Sequence, residues 1–212
     1  MCDVIGVEEI KKMVKGAIEE IRKVHPFLSE LDSATGDGDH GTSMLRGMNN
    51  LAKILAETPA ADLKTLLHEL GWSFLGVDGG ATGPLMGSFF MGMSEAVGEK
   101  QSLDCQAFAN MFEGGLASIR KQTKAQVGDK TLIDALVPAV QALREGAAAG
   151  LGIRAALPQA VAAAEKGAAA TKEFRARFGR AKNLGERVLG HQDAGATSMA
   201  FIFRGFLEGL SI

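Results

Sequence analysis

Cysteine and histidine are scarce in this sequence. Its 212 residues include two cysteines and four histidines, scattered without the spacing of zinc ligands or of a disulfide framework. A disulfide scaffold and a four-ligand zinc site are therefore excluded. We expect any bound metal to have oxygen ligands.

Excess charge and long apolar runs are also missing. The formal net charge is −2, which argues against a basic surface of the kind that binds a nucleic-acid backbone. No apolar run reaches the roughly 18 residues that span a bilayer. The acidic N-terminus, with Asp3, Glu8 and Glu9, does not match a signal peptide. We expect a cytoplasmic protein without a nucleic-acid partner or a membrane segment.

Alternating β-branched runs, which are typical of strands, are absent as well. Apolar residues at helical spacing recur instead, and the hydrophobic content of 46% is enough for a buried core. The pattern predicts eight helices. Their predicted positions are Val7–Val24, Thr42 or Ser43 to Glu57, the cap Asp62 through Phe74, Pro84–Val97, Asp104–Ile119, Thr131–Arg144, Ile153–Phe174 and Asp193–Leu210.

Most links between these helices are short, which favours antiparallel neighbours. We therefore predict an all-α, up-and-down single domain over residues 1–212, with Pro26 ending the first helix and Thr58-Pro59 the second. The link from about Arg175 to Gln192 is long and charged, and such links are usually functional or disordered. We assign Trp72 to the core. The methionines at positions 86, 91, 93, 111 and 199 are also assigned to the core, and the alternative is that they line an adenine or substrate pocket.

Glycine, in contrast, is abundant. The 27 glycines are about twice the ordinary share of roughly 7%. Thirteen of them fall in four stretches, and each stretch leads into a predicted helix. The stretches are Gly36–Gly41, Gly76–Gly87, Gly128 and Gly179–Gly195.

The first glycine stretch also carries carboxylates. Asp32, Asp37 and Asp39 lie close together in the sequence, and two charges about 4 Å apart repel by about 4 kcal/mol at an effective dielectric near 20. Such a cluster favours a divalent cation, and its oxygen ligands suit Mg²⁺ or Ca²⁺. The helix start at Gly41–Ser43 is expected to bind an anion. The segment predicts a metal–polyphosphate site, or alternatively an acidic turn whose aspartates cap a helix.

Three familiar motifs do not account for this segment. Gly36–Gly41 matches the dinucleotide fingerprint only formally, because a helix precedes it where a strand is needed. Thr42 and Met48 occupy the positions at which an EF-hand loop needs Gly and Glu. The P-loop pattern does not occur anywhere in the chain.

The other stretches offer further anion-binding elements. Gly79–Pro84 suits a loop of backbone donors before a helix. In Gly128–Thr131, Asp129 is a candidate cap, and Lys130 either reaches a phosphate or is a solvated charge. Four such loops can meet at one end of an up-and-down bundle, which predicts a nucleotide or phosphate site there.

Together these motifs resemble the nucleotide-binding L subunit of dihydroxyacetone kinase. The resemblance covers most of the chain and implies a barrel of eight antiparallel helices, with ADP or ATP and two Mg²⁺ ions at one end. Its motifs occur in the family's order: Gly36-Asp-Gly-Asp-His-Gly41, Gly79-Gly-Ala-Thr-Gly-Pro84, Gly128-Asp-Lys-Thr131 and Gly190-His-Gln-Asp-Ala-Gly-Ala-Thr197.

The resemblance also implies site residues. The implied metal ligands are Asp32, Asp37 and Asp39. The implied nucleotide-binding residues are His40, Gly41, Thr42, Ser43, Ala81, Thr82, Gly128, Arg180, Asp193 and Gly195. Arg180 and Lys130 are candidates for stabilising charge that develops during transfer, and no other catalytic residue is implied. Three aspartates and ADP carry about six negative charges, so two Mg²⁺ ions leave about two.

The resemblance finally implies partners. A separate K subunit holds the ketose on a histidine of its own, so His40 is not that residue, and an M subunit rephosphorylates bound ADP in the phosphotransferase-dependent type. The expected function is the phosphoryl-donating subunit of such a kinase. Two alternatives stay open. One is the same chemistry on another short ketose or a fatty acid, and the other is a nucleotide-loaded adaptor that binds, for example, a transcription regulator.

Overall fold

The computed structural model describes residues 3–57, 62–77 and 80–211. Within them the chain forms eight α-helices, as predicted, and its only β-type pairing is one bridge between Ile5 and Leu103. Short 3₁₀ segments lie between the last two helices. The helices are α1 Val7–Ser33, α2 His40–Glu57, α3 Leu63–Leu75, α4 Thr82–Val97, α5 Cys105–Gln122, α6 Ile133–Ala148, α7 Ile153–Ala170 and α8 Ala194–Ser211. Thr58-Pro59 and Gly79 lie outside the described residues.

The predicted cap Asp62 is confirmed by a side-chain hydrogen bond, and Asp104, predicted as the first residue of its helix, is a cap as well. The Asp62 carboxylate accepts the Thr65 amide at 2.7 Å, and the Asp104 carboxylate accepts the Ala107 amide at 2.8 Å. These aspartates satisfy backbone donors that the first turns of α3 and α5 would otherwise leave without partners. The polar residue just before each apolar stripe therefore marks the start of the helix.

Pro26 does not end α1, contrary to the prediction. The helix continues to Ser33, with Pro26 inside it. The proline ring is exposed, and two residues later Leu28 is fully buried. Packing of this last part of α1 compensates for the hydrogen bond that proline cannot donate. The extension carries Asp32 to the end of the helix.

Helix α2 begins at His40, two residues before the earlier of its predicted caps. The Asp39 carbonyl accepts the Ser43 amide at 2.9 Å, so the helical pattern is already established at that point. The Ser43 amide is therefore not a free anion donor, contrary to the expectation for the helix start.

Helix α6 begins at Ile133, and Asp129 is not its cap. The N-cap position is Leu132, and the carboxylate of Asp134 accepts the Gly128 amide at 2.5 Å and the Thr131 amide at 2.7 Å. A carboxylate in the first turn thus reaches back to the loop before the helix, as in a capping box.

The eight helices form a closed ring of neighbours. Each helix packs against the next, and α8 also packs against α1. This last contact is close because glycines line it: a methyl group at Gly16 would lie 2.8 Å from the amide nitrogen of Gly209. The predicted antiparallel barrel is confirmed. No helix among the described residues has the length and apolarity needed to cross a membrane.

Phenylalanines fill the middle of the barrel, whereas Trp72 lies outside it. Phe112 contacts Phe108 with a ring-centroid distance of 5.0 Å and Phe203 with one of 5.3 Å. Trp72 is 64% exposed, so its assignment to the core is wrong. The buried face of α3 contains Leu70 and Phe74, and a residue midway between them points to the opposite side of the helix. Four of the five named methionines are buried, at positions 86, 93, 111 and 199.

Candidate functional site

Four links meet at one end of the barrel. Because consecutive helices are antiparallel, the links after α1, α3, α5 and α7 lie at the same end, and these links contain the glycine stretches. They enclose a cavity of about 430 Å³. The predicted site residues that line it are Asp32, Asp37, Asp39, His40, Ala81, Thr82, Lys130, Arg180, Asp193 and Gly195.

The three aspartates come together where α1 ends. Asp32 lies in the last turn of α1, and Asp37 and Asp39 lie in the link between α1 and α2, residues 34–39, here called the acidic loop. One carboxylate oxygen of each lies within 4.8 Å of the others. The Asp32 carbonyl accepts the Gly36 amide at 2.5 Å, and Gly38 has a positive φ of 77° that favours glycine. This turn brings Asp37 and Asp39 back to the end of α1. Three converging carboxylates fit a hard divalent cation.

Arg180 places a positive charge on this cluster. Its guanidinium forms a salt bridge with Asp37 and lies 3.9 Å from an Asp39 oxygen. Arg180 belongs to the basic loop, here defined as residues 172–190 between α7 and α8. The arginine neutralises carboxylates that would otherwise repel one another.

His40 connects three helices at the edge of the cavity. Its Nε2 lies 3.0 Å from the Ser198 hydroxyl of α8, and its Nδ1 lies 3.4 Å from the Thr82 hydroxyl of α4. Burial lowers the pKa of His40, although the charges of Asp32 and Asp39 act in the opposite direction. The neutral imidazole therefore fixes the starts of α2, α4 and α8 relative to one another.

The three residues that directly follow His40 are not part of the cavity lining. Gly41 is buried, and a methyl group there would collide with the His25 carbonyl, so this glycine permits α1 and α2 to approach closely. Ser43 is also buried, and its hydroxyl has no hydrogen-bond partner among the described residues. Thr42 is exposed. Gly128 lines an adjoining cavity of about 390 Å³ that Phe178 also borders.

Asp193 caps α8 at the floor of the site. Its carboxylate accepts the Ala196 amide at 2.7 Å, and its own amide donates to the Thr171 hydroxyl at 2.9 Å. Burial is the largest influence on this carboxyl group and raises its pKa to about 7. The cap and the nearby Lys130 charge act in the opposite direction.

This geometry agrees with comparisons against known proteins. Residues 34–208 match the family described as the DAK2 domain. The chain belongs to this family. It is 38% identical over 190 residues to the Listeria innocua protein named PEP-dependent dihydroxyacetone kinase 1, ADP-binding subunit DhaL, covering 90% of each chain. It is 39% identical over 178 residues to the Escherichia coli K12 PEP-dependent dihydroxyacetone kinase, ADP-binding subunit DhaL, covering 84% of this chain and 85% of the relative.

Solved structures share the fold of this DAK2 domain. The native dihydroxyacetone kinase of C. freundii matches with a TM-score of 0.76 and 26% identity, over 98% of this chain and 35% of that chain. The same enzyme in complex with AMP-PNP and Mg²⁺ matches with a TM-score of 0.72. This chain thus spans about a third of the C. freundii chain. The comparisons confirm the resemblance to L subunits of dihydroxyacetone kinase and the enzyme class, a kinase subunit.

Lys130 lies inside the DAK2 domain and is not a solvated charge. Its side chain is 2% exposed, and its ammonium group donates to the carbonyls of Thr171, at 2.5 Å, and His191. The ammonium group is therefore engaged by protein carbonyls. This placement does not favour a direct role in stabilising charge on a phosphoryl group.

Two features of the site were missed, wholly or in part, in the sequence. The Asp134 contacts could have been found, because Thr131-x-x-Asp134 fits a capping box, and the Thr131 hydroxyl accepts the Ile133 amide at 3.2 Å. The apolar wall of the cavity was anticipated only in part, by the alternative that Met86 and Met199 line a pocket, because its other side chains come from separate helices and links. This wall includes Met44, Leu85, Met86, Leu132, Phe178 and Met199.

Proposed function

We propose that the chain is the ADP-binding subunit of a phosphotransferase-dependent dihydroxyacetone kinase, with residues 1–212 acting as one nucleotide-binding domain. The observation that carries this proposal is the convergence of three carboxylates, three helix starts and Arg180 on one cavity. The similarity to relatives named PEP-dependent ADP-binding subunits, over 90% of both chains in one case, favours the phosphotransferase-dependent type.

The carboxylates of Asp32, Asp37 and Asp39 are the proposed ligands of two Mg²⁺ ions. Their separation of up to 4.8 Å and their partial exposure suit cations that keep several water or phosphate ligands. When bound, the Mg²⁺–nucleotide complex supplies the transferable phosphoryl group and neutralises its charge. The end of α1 and the acidic loop supply the ligands, and Arg180 supplies a further positive charge beside them.

The helix starts are the proposed phosphate-binding elements. His40 and Thr82 begin α2 and α4, and Gly195 lies in the first turn of α8, so the positive ends of three helix dipoles face the same cavity. Ala81 lines the cavity just before α4, and Asp193 fixes the start of α8. The apolar wall and the adjoining cavity at Gly128 offer surfaces for the base and ribose. Gly41, Thr42 and Ser43 contribute through the backbone and packing of α2.

The acceptor is proposed to reside on another protein. A ketose held covalently requires a nucleophile with a free lone pair, and both ring nitrogens of His40 are instead within hydrogen-bond distance of the Ser198 and Thr82 hydroxyls. We therefore propose a K-type subunit as the acceptor partner and an M-type subunit as the donor that rephosphorylates ADP. A transcription regulator is a further candidate partner for the nucleotide-loaded form.

The decisive experiment is to identify what the protein retains. The chain is purified without added nucleotide, denatured, and analysed by ion-exchange chromatography and metal analysis. Near-stoichiometric ADP with about two Mg²⁺ ions per chain is the expected result. A protein that binds neither ADP nor ATP at millimolar Mg²⁺ would refute the nucleotide site.

Reconstitution then separates the acceptors. The ADP-loaded chain is combined with M-type phosphoryl donor proteins and with candidate K-type subunits, and phosphorylation of dihydroxyacetone is measured. Transfer to dihydroxyacetone is expected. Transfer only to another short ketose or to a fatty acid would change the acceptor, and nucleotide binding without transfer to any acceptor would favour the adaptor function.

A further inference from the structure

The base of the basic loop is closed by a buried lysine. The ammonium group of Lys130 donates to Thr171 and His191, the residues that immediately flank residues 172–190. Lys130 has a φ of 61°, which is unusual for a residue other than glycine. One side chain from the link between α5 and α6 therefore holds both ends of the link between α7 and α8.

Other contacts close the same base. The Gly190 amide donates to the Lys172 carbonyl at 2.8 Å, and the Asp193 amide donates to the Thr171 hydroxyl at 2.9 Å. Burial lowers the pKa of Lys130, whereas the negative charges of Asp193 and Asp134 act in the opposite direction. A buried charge with such partners is costly to disturb, because its loss leaves carbonyls without donors.

Farther from its base, the basic loop has weaker attachments. The Arg177 amide donates to the Asp129 carbonyl at 3.2 Å, and the Arg177 guanidinium lies 3.4 Å from the Asp129 carboxylate. Arg175 and Glu186 form a salt bridge with both side chains largely exposed. The salt bridge of Arg180 with Asp37 is also partly exposed, and Phe178, two residues before Arg180, is partly buried against the hydrophobic core. The position of Arg180 thus depends on Phe178 and on the base of the loop.

We propose that Lys130 is a positioning residue, which holds both ends of the basic loop and so places Arg180 over Asp37 and Asp39. It acts on bound nucleotide through Arg180 and does not touch the phosphates itself. The nucleotide part of this inference rests on the proposed function, whereas the structural part does not.

A double-mutant cycle tests the nucleotide part. The affinity for Mg²⁺–ADP is measured by titration calorimetry for Lys130→Met, Arg180→Met and the double variant. Each single change is expected to weaken binding about tenfold, and the double variant is expected to be no more than about twofold weaker than the worse single variant. If the double variant bound Mg²⁺–ADP about a hundredfold more weakly, which is the product of the two single effects, the proposal would be overturned.

Hydrogen exchange tests the structural part without any nucleotide. In Lys130→Met the amides of Gly190 and Asp193 are expected to exchange at least about tenfold faster, while Arg180→Met leaves them unchanged. Lys166→Met, which removes an exposed charge from α7, is the matched control and is expected to have no effect. Unchanged exchange in Lys130→Met would overturn the proposal.

A second measurement covers the case in which Lys130→Met does not fold. In the wild-type protein the amides of Gly190 and Asp193 are expected to exchange together, and more slowly than amides near Arg180. Exchange of Gly190 as fast as the amides near Arg180 would overturn the proposal. Failure of the proposed function is distinguishable, because a wild-type protein that binds no nucleotide can still show this exchange pattern.

Discussion

The acidic loop and the basic loop face each other but are held in different ways. The acidic loop is six residues long, residues 34–39, and its backbone is bonded to the end of α1 by the Thr35 and Gly36 amides. The basic loop has nineteen residues, 172–190. The buried Lys130 side chain holds its base, and Phe178 is partly buried against the core. The comparison indicates that the carboxylates proposed as metal ligands are already in place, whereas Arg180 depends on a more distant attachment.

The two loops meet in one partly exposed ion pair. The side chains of Arg180 and Asp37 are 59% and 43% exposed. Exposed pairs of this kind contribute about 0–1 kcal/mol to stability, because solvent screens the charges. We therefore expect a divalent cation to replace the guanidinium at little cost, and the arginine then to be available to the phosphates.

The largest expected effect comes from the acidic loop. Asp37→Asn removes one metal ligand and a charge, and we expect the affinity for Mg²⁺–ADP to fall about a hundredfold, which corresponds to about 2.7 kcal/mol. Titration calorimetry measures the loss, and circular dichroism is expected to show unchanged helical content.

Asp104→Asn is the matched control for Asp37→Asn, because Asn also caps helices and Asp104 lies at the far end of α5. It is expected to bind Mg²⁺–ADP like the wild type. Wild-type affinity in Asp37→Asn would contradict the assignment of the carboxylates as metal ligands.

A change in the basic loop is expected to have two opposite effects. Arg180→Met frees Asp37 and Asp39 from a competing cation, so Mn²⁺ alone, followed by electron paramagnetic resonance, is expected to bind about threefold more tightly. The same variant is expected to bind Mg²⁺–ADP about tenfold more weakly, because a charge near the phosphates is lost. If Arg180→Met changed the affinities for Mn²⁺ alone and for Mg²⁺–ADP by the same factor and in the same direction, Arg180 would not move from the carboxylates to the phosphates.

Asp193 is attached to the base of the basic loop through the Thr171 hydroxyl. The pH dependence of the unfolding free energy therefore tests this region. The native pKa of Asp193, about 7, lies above the ordinary 3.8, so the folded protein binds more protons than the unfolded chain between about pH 4 and 7. The contribution of this group to the unfolding free energy is present below about pH 4 and falls as the pH rises through 7.

The measurement compares the wild type with Asp193→Asn, in which the cap acceptor is kept. The difference in unfolding free energy, wild type minus variant, is expected to fall by about 1 kcal/mol or more between pH 5 and 7.5 in urea titrations. A difference independent of pH would show that this carboxyl group has an ordinary pKa in the native state.

The two regions also differ in how far the sequence predicts them. The acidic loop can be predicted from the sequence because the residues that define it are neighbours in the chain. Asp32, Asp37 and Asp39 lie within eight residues, with glycines between them. Helical periodicity similarly predicts eight helices, and up-and-down connectivity predicts that alternate links converge. These features depend on neighbours in the chain and on one simple packing rule.

The position of the basic loop cannot be predicted in this way, because its attachments join residues that are far apart in the sequence. From the sequence alone, Lys130 is expected to be a solvated charge. Only the fold brings the Thr171 and His191 carbonyls to its ammonium group. Pro26 is a similar case, since the burial of Leu28 decides that α1 continues past it. Tertiary contacts prevail over local preference in both places.

The smallest expected effect lies at the outer part of the basic loop. Arg175→Met breaks the salt bridge with Glu186, whose side chains are 69% and 73% exposed. We expect the unfolding free energy to change by less than about 0.5 kcal/mol and the affinity for Mg²⁺–ADP by less than about twofold, because an exposed pair gains little and orders two long side chains.

Glu186→Gln breaks the same salt bridge but changes the loop charge in the opposite direction. If the pair held the loop in place, both variants would loosen it and weaken nucleotide binding equally. If only the net charge of the loop matters, Arg175→Met weakens nucleotide binding slightly and Glu186→Gln strengthens it slightly. Both effects then decrease as the salt concentration rises. The second pattern is expected, because the attachments that position Arg180 are Phe178 and the base of the loop.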